Sequence, residues 1–228
     1  MEGFLLIDKP AGMTSYDVIR KIKTMLPKKT KIGHSGTLDP FATGLLIIAI
    51  GRKFTKQLNQ LIEYDKTYHA EVTFGIETDS FDIDGSIVSK HPTPLKLTKN
   101  QVEETLKNYR GEINQTPPQF SAKKINGVPA YKHARAGNVV DLKAASVTIY
   151  ELIINGLENN QLNISVHCSK GTYIRSLAHD LGKDLGVGGH LSKLNRLAIG
   201  SVSLKSSIKL DQLNEQTLTE ALKGSLPQ

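Results

Sequence analysis

Residues 33–44 read Gly33-His34-Ser35-Gly36-Thr37-Leu38-Asp39-Pro40-Phe41-Ala42-Thr43-Gly44. The glycines of this stretch allow backbone conformations that other residues rarely hold, or a close approach by a ligand. In its middle Asp39 stands before a proline, and the apolar run 44–50 that follows has the length of a buried strand. A carboxylate in that setting is held in one direction at the edge of a sheet. An ordinary Asp-Pro turn without function gives the same letters, so the residues alone leave both interpretations open.

The segments around this stretch carry both strand and helix patterns. We predict strands over residues 3–8, 44–50, 68–74, 145–155 and 161–168, with a hairpin turn at 158–160. Helices are predicted over 14–26, 52–62, 98–109 and 174–185, with one or two short helices after about residue 210. Residues 76–94 are acidic and rich in turn formers. Hairpins mixed with separated helices indicate an α+β fold around a mixed sheet.

Composition limits the class of protein. The chain has 228 residues, 29 Lys and Arg against 22 Asp and Glu, and a net charge of +7. A basic surface attracts polyanions, although many proteins without a nucleic-acid partner are equally basic. The single cysteine, Cys168, excludes an intramolecular disulfide and indicates a reducing compartment. The apolar run at the N-terminus is too short for a signal peptide, so we expect a cytoplasmic protein without a membrane anchor.

The sequence lacks the motifs of several kinds of metal and cofactor site. There is no Cys-x-x-Cys, no His-Glu-x-x-His and no phosphate-binding Walker sequence. The glycines at 186–189 follow a predicted helix rather than a strand, which argues against dinucleotide binding. The acidic stretch 80–85 resembles the start of a calcium loop, but His91 stands where the bidentate glutamate is needed. The sequence therefore implies no metal and no organic cofactor.

Taken together with four other segments, the stretch 33–44 resembles the motifs of TruB-type tRNA pseudouridine synthases. It is similar to the family's catalytic motif, in which the aspartate is the catalytic residue. Residues 9–15 resemble the N-terminal motif, 65–68 the segment with the active-site tyrosine, and 167–177 the third motif. Residues 115–123 and 131–135 resemble the thumb insertion that closes over RNA. The resemblance covers about residues 3–200 in the family's order.

The resemblance implies a pseudouridine synthase fold: a mixed, mostly antiparallel sheet flanked by helices, with a thumb-like insertion at about 114–143. It implies that a T-loop uridine of tRNA is flipped out and isomerised without a cofactor. The catalytic residues would be Asp39, Tyr68 and Arg175, with Arg175 as the cation that keeps Asp39 ionised and Tyr68 as the stacking ring. His34 would fill the place of the flipped base. The other substrate-binding residues would be Lys9, Pro10, Tyr173 and Leu197 around the pocket, and Lys123 and Arg135, with Lys124 and Lys132, on the thumb.

The same resemblance sets expectations for domains and partners. We expect a catalytic domain over 1–203 and a short C-terminal segment, 204–228, without a complete RNA-binding PUA domain. The expected partner is the T-arm of tRNA, with no obligate protein partner and a monomeric chain. Two alternatives remain: a synthase of the same fold acting on another RNA, and a non-catalytic RNA-binding module. Whether the carboxylate attacks the base or the sugar, or removes a ribose proton, also remains open.

Overall fold

The computed structural model describes residues 1–92 and 94–227. The strands are β1 (Gly3–Lys9), β2 (Ile32–Ser35), β3 (Thr43–Ile50), β4 (Lys66–Phe74), β5 (Ile76–Thr78), β6 (Ile87–Lys90), β7 (Gly111–Gln115), β8 (Lys124–Ile125), β9 (Val128–Pro129), β10 (Ala145–Glu158), β11 (Gln161–Cys168), β12 (Gly189–Ile199), β13 (Val202–Ser203) and β14 (Ile208–Lys209). The α-helices are α1 (Ser15–Lys23), α2 (Arg52–Thr55), α3 (Leu58–Glu63), α4 (Lys99–Leu106), α5 (Ala130–Arg135), α6 (Ile174–Asp184) and α7 (Glu215–Ala221). Short 3-10 helices span Lys107–Tyr109, Leu204–Ser206 and Leu210–Gln212.

The chain divides into two compact units. The first unit comprises Met1–Tyr68 and Leu194–Gln228, and the second comprises His69–Lys193. Most strand pairs are antiparallel, including β1 with β3, β10 with β11 and β10 with β7. The pairs β1 with β14 and β3 with β12 are parallel. The predicted α+β fold with a mixed sheet is therefore confirmed.

The first unit is built on the pairing of β1 with β3, which runs from Gly3↔Ile50 to Lys9↔Gly44. Side chains alternate between the two faces of these strands because successive residues of a strand point in opposite directions. One face packs on α1, and its core includes Leu5, Ile7, Leu46, Ile48, Val18, Ile19 and Ile22. The other face packs on α2 and α3, and its core includes Phe4, Leu6, Leu45, Ile47, Phe54 and Leu61. Burial on both faces explains the continuous apolar run of β3.

Helix α1 begins where the sequence predicts it. Thr14 and Asp17 form a capping box, in which the Thr14 hydroxyl accepts from the Asp17 backbone and the Asp17 carboxylate accepts from the Thr14 backbone. The buried stripe Val18, Ile19 and Ile22 then faces the sheet. The cap also fixes Ser15 at the start of the helix, where its side chain is buried.

The C-terminal residues of the first unit complete its core. Leu210, Leu213 and Leu218 join the same apolar cluster as β1 and α1. Phe4 and Lys223 exchange two backbone hydrogen bonds of 2.8 Å each. The short helices expected after residue 210 are confirmed, and Asn214 is the N-cap of α7. The segment 204–227 therefore contributes to the stability of the first unit.

The second unit contains the long hairpin of β10 and β11. Asn159 and Asn160 in its turn have φ values of 48° and 66°, as the two central residues of a primed hairpin turn require. Helix α6 packs its predicted apolar face inward through Ile174, Leu177 and Leu181. In the insertion 114–143, β8 and β9 form a small hairpin, and α5 follows directly after β9.

One prediction from the pattern needs correction, and one pair of strands was not predicted. The helix expected over 52–62 is two helices, α2 and α3. They are separated at Gln57, whose N–H donates to Phe54 O, three residues back, at 3.0 Å instead of making the α-helical bond four residues back. Phe54 and Leu61 keep helical spacing across this break, so the apolar pattern does not reveal it. The turn-rich stretch 76–94 contains the paired strands β5 and β6. All residues of β6 are exposed, so no alternation of burial marks it.

Within residues 1–92 and 94–227, no helix combines the length and the apolar character needed to cross a lipid bilayer.

Candidate active site

The backbone on both sides of Asp39 is held by side chains and backbone groups of the first unit. The Ser15 hydroxyl accepts from Leu38 N at 2.9 Å and lies 3.2 Å from Leu38 O, to which it can donate. Pro40 O accepts from Gly12 N at 2.9 Å. Ala42 N donates to the carbonyl of Asp39 itself at 3.1 Å. The loop 36–44, which we call the Asp39 loop, is therefore fixed before any substrate binds, while Asp39 remains partly exposed.

Lys9, at the end of β1, is a buried brace beneath this loop. Its side chain is fully buried, and its ammonium group donates to Pro10 O at 2.8 Å, Met13 O at 2.7 Å and Pro40 O at 3.3 Å. Three carbonyl acceptors match the three N–H donors of an ammonium group. Pro10, by contrast, is exposed and contributes its carbonyl to this arrangement. Lys9 thus ties the turn after β1 to the residue that follows Asp39.

Arg196, on β12, is a second buried cation of this unit that contacts the Asp39 loop. It is 1% exposed and lies in register with Gly44 of β3. Its Nε donates to Leu45 O at 2.8 Å and its Nη2 to Gly36 O at 3.1 Å. Burial lowers the pKa of Arg196, whereas a hydrogen bond to the Tyr68 hydroxyl and the charge of Asp39 raise it. The first unit therefore places Tyr68, Arg196 and Asp39 in electrostatic contact.

Tyr68 and Leu197, two predicted site residues, lie on the strands that carry this contact. Tyr68 is 8% exposed on β4. Leu197 follows Arg196 on β12 and is half-buried. The sequence motifs predicted Leu197 as a site residue but not the adjacent Arg196. The available signal was a charged residue inside the stretch 194–199, which otherwise has the apolar content of a buried strand.

His34, on β2, is half-buried beside the same loop. Burial is the largest influence on its imidazole and lowers its pKa, and the positive charge of Arg196 lowers it further. A hydrogen bond with the Gly36 backbone acts in the opposite direction. The imidazole is therefore neutral at physiological pH.

In the second unit, Arg175 is buried at the start of α6. Its Nη1 lies 3.2 Å from Asp82 Oδ2 and donates to Ser80 O at 3.1 Å, while its Nη2 donates to Phe120 O at 3.0 Å. The side chains of Arg175 and Asp82 are 5% and 6% exposed. A buried pair needs such additional hydrogen bonds to offset the desolvation of its charges. The expected role of Arg175 toward Asp39 stays a prediction.

The remaining predicted site residues also lie in the second unit. Tyr173 is the N-cap of α6, and its backbone N–H donates to the Gln115 side chain at 2.7 Å. The thumb cations Lys123, Lys124, Lys132 and Arg135 are all exposed. Arg135 lies over the Tyr131 ring at 5.5 Å from its centroid. The insertion thus presents positive charge to the solvent, as a surface for phosphates requires.

Family comparison assigns the class of protein. The N-terminal domain of TruB family pseudouridylate synthases matches residues 23–174. The C-terminal domain of tRNA pseudouridylate synthase B matches residues 175–226. The chain belongs to the TruB family of pseudouridylate synthases. Our division of the chain at residue 203 stays a prediction.

Relatives and solved structures agree with this class. A tRNA pseudouridine synthase B from Clostridium kluyveri is 43% identical over 96% of this chain and 74% of the relative. One from Chlamydia abortus is 46% identical over 91% of this chain and 86% of the relative. Among solved structures, a Cbf5–Nop10–Gar1 complex matches with a TM-score of 0.70 and 28% identity over 92% of this chain. The chain spans 53% of that structure's chain. The expected pseudouridine synthase fold is confirmed.

Proposed function

We propose that this protein isomerises uridine 55 in the T-loop of tRNA to pseudouridine, with Asp39 as the catalytic carboxylate. Membership of the TruB family and the relatives named tRNA pseudouridine synthase B support the reaction. The observation that carries the residue assignment is the Asp39 loop, whose backbone is held through Leu38, Pro40 and Ala42. A catalytic group has to be kept in one orientation, because misplacement of the reacting atoms lowers the rate strongly.

The reaction is an isomerisation that consumes no second reactant. The glycosidic bond from the ribose to N1 of uracil breaks, and a new bond forms between the same ribose carbon and C5. The C5 proton leaves and N1 gains a proton, so reactant and product contain the same atoms. Asp39 acts either as a nucleophile toward the base or sugar, or as the base that removes a ribose proton. Each route needs an ionised carboxylate, which a nearby cation favours.

The uridine has to leave the loop stack to reach that carboxylate, at a cost of a few kcal/mol. We infer that Tyr68 offsets this cost by stacking on the flipped base, an interaction worth roughly 1–3 kcal/mol. His34 fills the vacated position in the loop, and its neutral imidazole enters without the cost of burying a charge. Tyr173 and Leu197 line the pocket. Arg175 supplies a cation toward Asp39, and Lys9 with Pro10 holds the loop beneath it.

The thumb supplies the contact with the RNA backbone in this proposal. Lys123, Lys124, Lys132 and Arg135 are exposed cations on one insertion, and phosphate contacts of this kind position a protein on RNA without reading its sequence. We expect these contacts to be made with the T-arm of tRNA. We place the protein in the cytoplasm, where tRNA is modified, and expect it to act as a monomer.

The test is conversion of unmodified tRNA, followed by tritium release from uridine labelled at C5. Asp39→Asn keeps the size of the side chain without its charge, and we expect it to retain less than about one percent of wild-type turnover with tRNA affinity changed only a few-fold. Asp211→Asn makes the same substitution at an exposed residue and should leave turnover unchanged. Clear activity in Asp39→Asn, with deamidation back to aspartate excluded, would contradict the assignment.

The same assay separates the two alternatives. A non-catalytic RNA-binding module would bind tRNA and release no tritium even as the wild-type protein. A synthase specific for another RNA would leave unmodified tRNA unchanged but act on that RNA, which pseudouridine mapping in cells lacking the gene would identify.

A further inference from the structure

One side chain of the first unit joins both ends of the Asp39 loop. The guanidinium of Arg196 donates to Gly36 O at the start of the loop and to Leu45 O just after its end. The two carbonyls lie on opposite sides of Asp39 in sequence, so a single rigid group sets the distance between the ends. A guanidinium suits this task because its N–H groups form a fixed planar fork.

The same guanidinium is directed toward the reacting groups. A hydrogen bond with Tyr68 and the charge of Asp39 raise the pKa of Arg196, and the positive charge of Arg196 in turn lowers the pKa of His34. Its backbone is also fixed, because Arg196 pairs with Gly44 of β3 in a parallel register. A fully buried charge is costly, and an apolar side chain would fill the space between the strands at lower cost. A charged residue at this place is therefore best explained by what it holds.

We propose that Arg196 is a positioning residue for the isomerisation, which sets the shape of the Asp39 loop and holds the Tyr68 hydroxyl against it. The inference rests on the proposed function, since it assumes that Asp39 carries the chemistry. Arg196 is a permanent cation supplied by β12 from the same unit that contains Asp39. Arg196 does not touch the substrate; it acts through the loop and the tyrosine.

The inference predicts separate effects for charge and for geometry. Arg196→Met keeps an unbranched side chain of similar width, although a shorter one, and removes the charge and the donors. Arg196→Lys keeps the charge but cannot make the forked contacts. Arg52→Met is the matched control, because Arg52 is an exposed arginine of the same unit. Each variant is measured for single-turnover rate across pH, for tRNA affinity, and for amide hydrogen exchange of the loop.

We expect Arg196→Met to lower the single-turnover rate by about a hundredfold or more, with tRNA affinity within about threefold of the wild type. The acid limb of its pH–rate profile should move to higher pH, because the carboxylate loses a neighbouring cation. Arg196→Lys should restore the acid limb but not the full rate. Exchange of the Leu38 and Ala42 amides should rise about tenfold or more in Arg196→Met and stay unchanged in Arg52→Met.

Several outcomes would overturn the proposal. A rate for Arg196→Met within about threefold of the wild type would do so, as would unchanged exchange of the loop amides. Equal losses of rate and tRNA affinity with an unmoved acid limb would indicate a merely structural role. If Arg196→Met does not fold, a wild-type rate and loop exchange in Arg196→Lys would refute the forked contact. A wild-type protein without turnover refutes the proposed function instead, and the exchange measurement still tests how Arg196 holds the loop.

Discussion

At the scale of single residues, two buried cations hold the Asp39 loop from the protein side. Lys9 donates to three carbonyls, and Arg196 donates to two carbonyls and a tyrosine hydroxyl. Because a buried charge without partners is strongly unfavourable, each cation fixes the groups that compensate it. The loop is therefore rigid for an electrostatic reason as well as a steric one.

His34 makes this electrostatic setting measurable through stability. Burial and Arg196 lower its pKa in the folded protein below the ordinary value. The unfolded chain then binds more protons than the folded one at acidic pH, so stability is retained above about pH 6.5 and falls as the pH decreases below it. His34→Gln removes the titrating group. We expect its urea-unfolding free energy to fall less between pH 7.5 and pH 5 than that of the wild type, by about 1.4 kcal/mol for each unit of the shift.

His69→Gln serves as the control for that measurement, because His69 is exposed on β4. Its pH dependence should follow that of the wild type. If His34→Gln and His69→Gln have the same slope of stability against pH, then His34 is not held in its neutral form by the fold.

At the scale of elements, the site depends on how closely β12 approaches β3. Gly44 pairs with Arg196 and has a φ of 102°. A Cβ at this position would lie 2.4 Å from Arg196 O, 2.7 Å from Arg196 N and 2.3 Å from Asn195 Oδ1. Two of these atoms belong to the backbone, so no side-chain rotation can relieve the clash. The glycine therefore permits the contact through which Arg196 reaches the Asp39 loop.

Gly44→Ala should separate the two strands and damage both stability and activity. Overpacking and a left-handed backbone together predict a loss of about 3 kcal/mol in the free energy of unfolding. Urea denaturation measures this loss, and tritium release should fall with it. Gly224→Ala is the control, since the added methyl group meets nothing within 4 Å and the residue is exposed. A Gly44→Ala protein as stable and active as Gly224→Ala would refute the close approach.

At the scale of the whole molecule, the net charge of +7 influences both the affinity of the protein for RNA and the rate of association. Cations that contact phosphates release bound counterions, so affinity falls with salt by a slope near −0.7 per contact on single-stranded RNA. The exposed thumb cations provide several such contacts in the proposed complex. Long-range attraction also speeds the encounter with tRNA, and it weakens as ionic strength rises.

We expect the log–log plot of tRNA affinity against salt to have a slope steeper than about −2, which corresponds to three or more phosphate contacts. Lys132→Gln with Arg135→Gln should make that slope shallower by about 1.4. Lys107→Gln is the control: it removes the charge of a lysine whose ammonium group pairs with Glu104 at 2.7 Å, and it should leave the slope unchanged. A wild-type slope near zero would contradict an electrostatic RNA-binding surface.

The amino-acid sequence by itself determined the local features of this protein. The Thr14 capping box, the apolar run of β3, the Asn159–Asn160 turn and the apolar stripe of α6 were all readable, because each depends on residues a few positions apart. The motif around Asp39 identified the family, since its glycines and carboxylate lie within one continuous stretch. These features are enough for the fold class and the family, and they motivate the proposal that Asp39 is catalytic.

The tertiary structure decided which distant residues meet. Arg196 lies 160 positions from Gly36 and 151 from Leu45, and no periodic pattern links a side chain to carbonyls so far away. The same is true of Leu210 and Leu218, which join the core of β1 from the other end of the chain. Such contacts depend on strand register and on the space left between elements. Those are properties of the packed chain, and only the folded structure contains them.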